Sequence, residues 1–100
     1  MTTRIQNNDN QVIAYLEGRL DTAAAVTTAE DVQPLMEATN KEIILDCSGL
    51  EYISSSGLRI FLSIRKAAGA HGSKVIVRAI NADIRQVFMM TGFISLFEIQ

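Results

Sequence analysis

The chain predicts a single α/β domain: a mixed β-sheet, opening with a hairpin and continuing in mostly parallel strands, with about three helices packed on it. Three observations carry this. Ile43-Ile44-Leu45 and Val75-Ile76-Val77 are β-branched-rich runs flanked by polar residues, which suits buried strands. Between and after them lie stretches whose apolar residues recur at helical spacing. Near the start, Asp9-Asn10 is a turn signal between two short extended runs.

Taken in order, Arg4 to Asn7 and Val12 to Glu17 form the expected hairpin. Val26, Ala29, Val32, Leu35 and Met36 can share one face of a helical stretch from about Thr22 to Thr39, with a kink or break at Pro34. The run at Ile43 follows as a central strand. Leu58, Phe61, Leu62, Arg65 and Ala68 group on a second helix that should end near Gly69. Val75-Ile76-Val77 is the next strand. The third helix is the best marked, with Asn81 as N-cap, Ile84, Val87, Phe88 and Thr91 as its stripe, and Gly92 as its stop. Leu96 to Ile99 reads as a short last strand. The order β-β-α-β-α-β-α-β requires crossover connections and hence a largely parallel sheet after the hairpin. On such sheets, sites favour the loops leaving the carboxyl ends of the strands. Two segments there stand out as loops, Gly18 to Thr22 and Cys47 to Gly57.

Composition narrows the function. One hundred residues, 48% hydrophobic and 20% charged, suffice for one core without disulfides or metal. A net charge of -2 with scattered basic residues argues against nucleic acid as partner. Cys47 is the single cysteine, which excludes an internal disulfide and fits a reducing compartment. The first twenty residues hold no signal-type apolar run, and no apolar run approaches membrane-spanning length. A cytoplasmic location without membrane insertion is the expectation. No phosphate-binding Gly-x-x-x-x-Gly-Lys-Ser/Thr loop and no cluster of metal-ligating residues appears, so neither cofactor nor metal is expected.

The informative stretch runs from Ile43 to Arg59, where a strand leads to a helix that opens at Ser54-Ser55-Ser56-Gly57-Leu58. A helix start offers unpaired N–H groups and the positive dipole end. A phosphoserine there carries roughly -1.5 to -2 charges and spoils a docking surface without unfolding its own domain. The same serines also serve as helix caps.

This stretch resembles the STAS family, in particular the freestanding bacterial anti-sigma-factor antagonists. Their hallmark is an apolar strand ending in Asp, a short loop, and Asp-Ser-Ser/Thr-Gly-Leu opening a helix. Leu45-Asp46 matches the strand end, and Ser55-Ser56-Gly57-Leu58 matches the motif after its Asp. Gly18-Arg19-Leu20-Asp21 looks like the family's Gly-x-Leu-Asp before the first helix. With the order of elements, the resemblance covers nearly all of residues 1–100, one STAS domain. Two departures stand out. Ser54 occupies the position of the usual Asp, and the sequence stops at Gln100, where many relatives continue into a final helix. Lacking that helix, the sheet is expected to be less covered on one face, or to use it for a partner.

The resemblance implies partner switching. The unmodified antagonist binds a GHKL-type anti-sigma factor, which is also a serine kinase, and a sigma factor is released. The kinase then phosphorylates the antagonist, binding is lost, and a metal-dependent phosphatase resets the system. The phosphorylated residue maps onto Ser55, with Ser56 next in line. The implied docking surface comprises Asp21, Ser54, Ser55, Ser56, Gly57, Leu58 and Arg59. The domain would be substrate and ligand, with no catalytic residue of its own.

Plainer roles stand beside these. Asp21 caps the first helix or touches the partner, and Gly57 admits a partner's backbone or relieves crowding in the first turn. Asp46 has no metal or His partner in sequence, so hydrogen bonds that stabilise its loop are expected. Cys47 reads as a small buried apolar residue. His71 reads as an exposed turn residue, and Arg59, Arg65 and Lys66 as a solvated helix face. Of Met89 and Met90, one is expected in the core. Two other functions compete: a STAS scaffold or accessory module of a signalling or transport complex without phosphorylation, and a small serine hydrolase. The hydrolase fares poorly. Its only histidine, His71, lies a helix length from the serines, roughly 20 Å at 1.5 Å per residue, and no Gly-x-Ser-x-Gly elbow is present.

Overall fold

The computed structural model describes all residues, Met1–Gln100. Its five strands are β1 (Thr2–Asn7), β2 (Gln11–Leu20), β3 (Glu42–Ile53), β4 (Lys74–Arg78) and β5 (Glu98–Ile99), side by side in sequence order. β1 and β2 form the expected antiparallel hairpin, with Thr2 opposite Glu17 and Asn7 opposite Val12. The remaining pairs are parallel. Three longer helices, α1 (Thr22–Asp31), α3 (Ser55–Ala70) and α4 (Ala82–Thr91), and one turn of helix, α2 (Gln33–Met36), complete the crossovers with a 3-10 turn at Phe93–Ser95.

The sheet has two unlike faces. On one, Val12, Ala14, Leu16, Ile43, Leu45, Cys47 and Val77 meet the helices' buried residues, including Ala25, Leu35, Phe61, Ile64, Ile84 and Phe88, in a single core of 21 residues. Phe61 lies edge-to-face with both Phe88 and Phe97 at centroid separations of 6.2 and 6.3 Å, an arrangement that aromatic quadrupoles favour. On the other face only Ile13, Ile44 and Ile76 are buried, with Tyr15 packed against them. No helix contributes to that smaller cluster. Polar neighbours screen it: Gln11 donates to Glu42 at 2.9 Å, and Lys74 pairs with Glu98 at 2.7 Å.

Several expectations change. The stretch from Thr22 to Thr39 breaks at Val32, and Pro34 sits in the first turn of α2, where its missing N–H costs nothing. Val32 and Leu35 face the core as expected, with Ala29 and Met36 partly buried against it, but Val26 is 67% exposed and Ala25 and Thr28 are buried in its place. Alanines let α1 lie close to its neighbours without a large apolar stripe, which is why the pattern misled. The segments read as loops are mostly strand: β2 continues to Leu20 and β3 to Ile53, paired throughout this stretch but for register shifts between Tyr15 and Glu17 and between Gly18 and Arg19. Only Asp21 and Ser54 separate strand from helix there. The second long helix ends at Ala70, next to Gly69 as expected, with His71 as its C-cap. Met89 and Met90 are both exposed, 59% and 78%, because Ile84 and Phe88 take the buried side of α4. The last strand is shorter than Leu96 to Ile99, beginning at Glu98.

Asn81 and Gly92 bound α4 as expected. The Asn81 side chain accepts from the Ile84 N–H at 2.8 Å and donates to the Leu50 carbonyl at 3.1 Å, which ties the helix to β3. Gly92 takes φ +80°, the left-handed cap that glycine adopts without penalty. No helix is long and apolar enough to cross a membrane.

Candidate functional site

β2 and β3 end together, with Leu20 opposite Ile53, and each gives way through one residue to a helix. Both of those residues are N-caps. The Asp21 carboxylate accepts from the Ala24 N–H at 2.8 Å, and the Ser54 hydroxyl accepts from the Gly57 N–H at 3.2 Å. The Ser54 N–H also donates to the Leu20 carbonyl at 2.9 Å, fastening the start of α3 to the end of β2. Ser54 is 8% exposed. Its oxygen does what a carboxylate oxygen does at an N-cap, since Ser and Asp cap about equally well.

With the cap supplied by Ser54, Ser55 is the first helical residue and is exposed. Its hydroxyl makes no hydrogen bond within the chain, and neither does that of half-buried Ser56. Of the three serines, Ser55 alone combines exposure with an unspent hydroxyl at the helix start.

Gly57 and Leu58 face the other way. A Cβ on Gly57 would lie 2.8 Å from both Ile53 Cγ1 and Leu20 Cγ, so only glycine lets α3 start this close to the two strand ends. Crowding inside the fold therefore accounts for this residue. Leu58 is 7% exposed and part of the core. Neither presents a side chain outward; both lie beneath the exposed start of α3. Arg59 is exposed and lines a small groove of about 140 Å³ with Ala29, Val32, Gln33, Met36, Ile60 and Ser63.

A neighbouring pair was not foreseen from the sequence. Arg19 and Tyr52 are opposite each other on β2 and β3, with the guanidinium 4.4 Å from the ring centroid. Both are exposed, and both immediately precede the residues that lead into the caps. The signal was their cross-strand register, which requires knowing where the bulges fall.

The other polar residues are accounted for internally. Ser48 donates its hydroxyl and its N–H to Asp46 Oδ1 at 2.7 and 3.0 Å, and Arg78 Nε donates to Oδ2 at 2.8 Å. Burial pushes the Asp46 carboxyl upward, but the hydrogen bonds from Ser48 and Arg78 and the Arg78 charge together outweigh it and hold the group below its usual range. Cys47 is buried, and burial followed by the nearby Asp46 charge pushes its thiol up to about 12, so it is no nucleophile at neutral pH. His71 is exposed at the far end of α3 from Ser55, so no serine–histidine pair assembles. No group of three or more His, Cys, Asp and Glu side chains converges as a metal site would require.

The site thus sits on a mixed five-stranded sheet with helices on one face, where buried Ser54 caps α3 and Ser55 stands exposed at the strand-to-helix junction. The STAS domain model matches residues 2–100, and the chain belongs to that family, whose members are non-catalytic regulatory modules. Among curated proteins it is similar to BtrV of Bordetella bronchiseptica, described as a candidate anti-sigma factor antagonist, at 29% identity over 91 residues, 91% of this chain and 78% of that one. Among solved structures, a candidate anti-sigma factor antagonist from Thermotoga maritima superposes with a TM-score of 0.86 at 23% identity, covering 97% of this chain and 84% of that one. SpoIIAA of Bacillus, solved in its phosphorylated form, superposes with a TM-score of 0.74 at 19% identity over 99% and 91% of the two chains. The two structural likenesses speak to the fold.

Proposed function

We propose that this chain is an anti-sigma-factor antagonist that works by partner switching, with Ser55 as its phosphorylated residue. The unmodified form docks onto a GHKL-type anti-sigma factor that is also a serine kinase, and a metal-dependent serine phosphatase restores it after phosphorylation. The observation that carries the reading is the division of labour at the start of α3. Ser54 is spent on the cap, while Ser55 is exposed with its hydroxyl free. A kinase reaches that oxygen without opening the fold, and a phosphate there disturbs the partner rather than the core.

The remaining outward side chains of the docking surface are Asp21, Ser56 and Arg59, framed by the Arg19–Tyr52 pair. The magnitudes suffice. A hundredfold loss of affinity requires only about 2.8 kcal/mol. One added charge about 4 Å from a like charge on the partner is worth roughly 4 kcal/mol at an effective dielectric near 20.

The test is incubation with ATP and each GHKL-type kinase of the same genome, followed by intact-mass and peptide mapping. One phosphate on Ser55, absent from Ser55→Ala, is the expected result. A phosphate on Ser56 instead would move the switch by one residue, and no label from any of these kinases would end the phosphorylation reading. A second reading, a STAS scaffold or accessory module without phosphorylation, draws on Ser54, which lacks the carboxylate usual in the antagonists. A GHKL-type kinase gene beside this one favours the switch, and transporter genes favour the scaffold.

A further inference from the structure

We infer that a phosphate on Ser55 is held by Arg59, so that modification withdraws a free cation from the docking surface while it adds negative charge. The inference rests on the phosphorylation of Ser55 proposed above and adds its partner within the chain.

Ser55 and Arg59 stand four residues apart in α3, an uninterrupted helix of 16 residues. Residues at this spacing share a face, one turn above the other. Long helical side chains favour rotamers that lean toward the N-terminus, the direction in which Ser55 lies from Arg59. In the unmodified chain Arg59 lines the groove with Ile60, Ser63 and residues of α1 and α2. Pairing with a phosphate takes a change of rotamer at this exposed side chain. An anion N-terminal to a cation is also the favourable order for such a pair.

Both groups are unspent. Several other cations of the fold are engaged: Arg4 with Glu17, Lys74 with Glu98, Arg78 with Asp46, Arg19 over the Tyr52 ring, and Arg65 with the Leu96 carbonyl. Arg59 is exposed and has no ion pair, and the Ser55 hydroxyl has no hydrogen bond within the chain. Asp21, the carboxylate that follows β2, is occupied in capping α1. A guanidinium fork matches phosphate oxygens two at a time, and a phosphate reaches further along the helix than the hydroxyl it replaces.

The unmodified surface therefore offers a partner a neutral hydroxyl beside a free arginine. The phosphorylated surface offers a partly neutralised pair in which the arginine is committed. The partner loses an attraction as well as gaining a repulsion.

The pair is read without any kinase by installing phosphoserine at position 55 during translation of the full chain and titrating its phosphate by phosphorus-31 NMR at low ionic strength. Arg59 favours the dianion, so the second ionisation should fall about 0.15 to 0.4 pH unit lower in the wild-type background than with Arg59→Gln. Arg59→Lys should recover part of that shift. Matching thermal midpoints of the unmodified wild type and Arg59→Gln would show that the substitution leaves the fold intact. Coincident titrations with Arg59 and with Gln would overturn the pairing. That result would leave the kinase reading standing, whereas a kinase test that left Ser55 unlabelled would remove the switch without altering this titration.

Discussion

Strand β3 carries a polar cluster in its middle and another at its end, and they are built in opposite ways. In the middle, Asp46 sits among Ser48 and Arg78 with both carboxylate oxygens engaged and little of the group exposed. At the end, Ser54 makes one capping bond and leaves Ser55 beside it with nothing to hold. The Asp46 cluster resembles an active site in residue type and is a closed structural device. The serine cluster has the form of ordinary helix capping and leaves one exposed hydroxyl without a partner. Availability for chemistry follows from what a side chain has not yet bonded to, more than from what kind of side chain it is.

Substitutions sharpen the contrast. The largest effect is expected beneath the serine cluster. Gly57→Ala puts a methyl group 2.8 Å from Leu20 and Ile53 side-chain atoms, and should cost about 1–3 kcal/mol in chemical denaturation. Wild-type stability in that variant would mean the α3 junction is slack and its geometry unimportant.

The Asp46 cluster comes next. Asp46→Asn should lose about 1–2 kcal/mol at neutral pH. The sign follows from the lowered carboxyl: Asp46 contributes its stability in full above its ordinary value of 3.8, and loses it as pH falls through the still lower folded value. The gap between wild type and Asp46→Asn should therefore close at the acid end of a stability–pH series. A gap independent of pH would assign the effect to packing.

The serines should differ from each other. Ser54→Ala removes the cap and should cost about 1 kcal/mol. Ser54→Asp should retain the cap and gain a few tenths of a kcal/mol from the helix dipole. Ser55→Ala should stay within about 0.5 kcal/mol of wild type, as for an exposed residue with no partner. Equal costs at Ser54 and Ser55 would erase the distinction between them.

Much of this was legible in the residues. The β-branched runs at Ile43 and Val75 became β3 and β4, and Asn81 and Gly92 bound α4 as their chemistry requires. The serine run stood out because it follows a strand and opens a helix with Gly57, while only the family resemblance singled out Ser55 within it. What was not legible depended on register. Cys47, Leu50 and Ile53 are buried at intervals of three rather than two, because the β2–β3 ladder shifts near Tyr15 and Gly18, so the outer half of β3 read as loop. The same shifts hid the Arg19–Tyr52 contact. Capping was equally ambiguous, since any of three adjacent serines satisfies the composition rule and only backbone geometry selects Ser54.

Calorimetry of a cognate GHKL-type anti-sigma factor against two forms of this chain, one with serine at position 55 and one with phosphoserine, addresses the switch itself. The phosphorylated form should bind at least about a hundredfold more weakly, equivalent to about 2.8 kcal/mol. Equal affinities would show that the partner does not distinguish a hydroxyl from a dianion at the entrance to α3, and the domain would then be a scaffold.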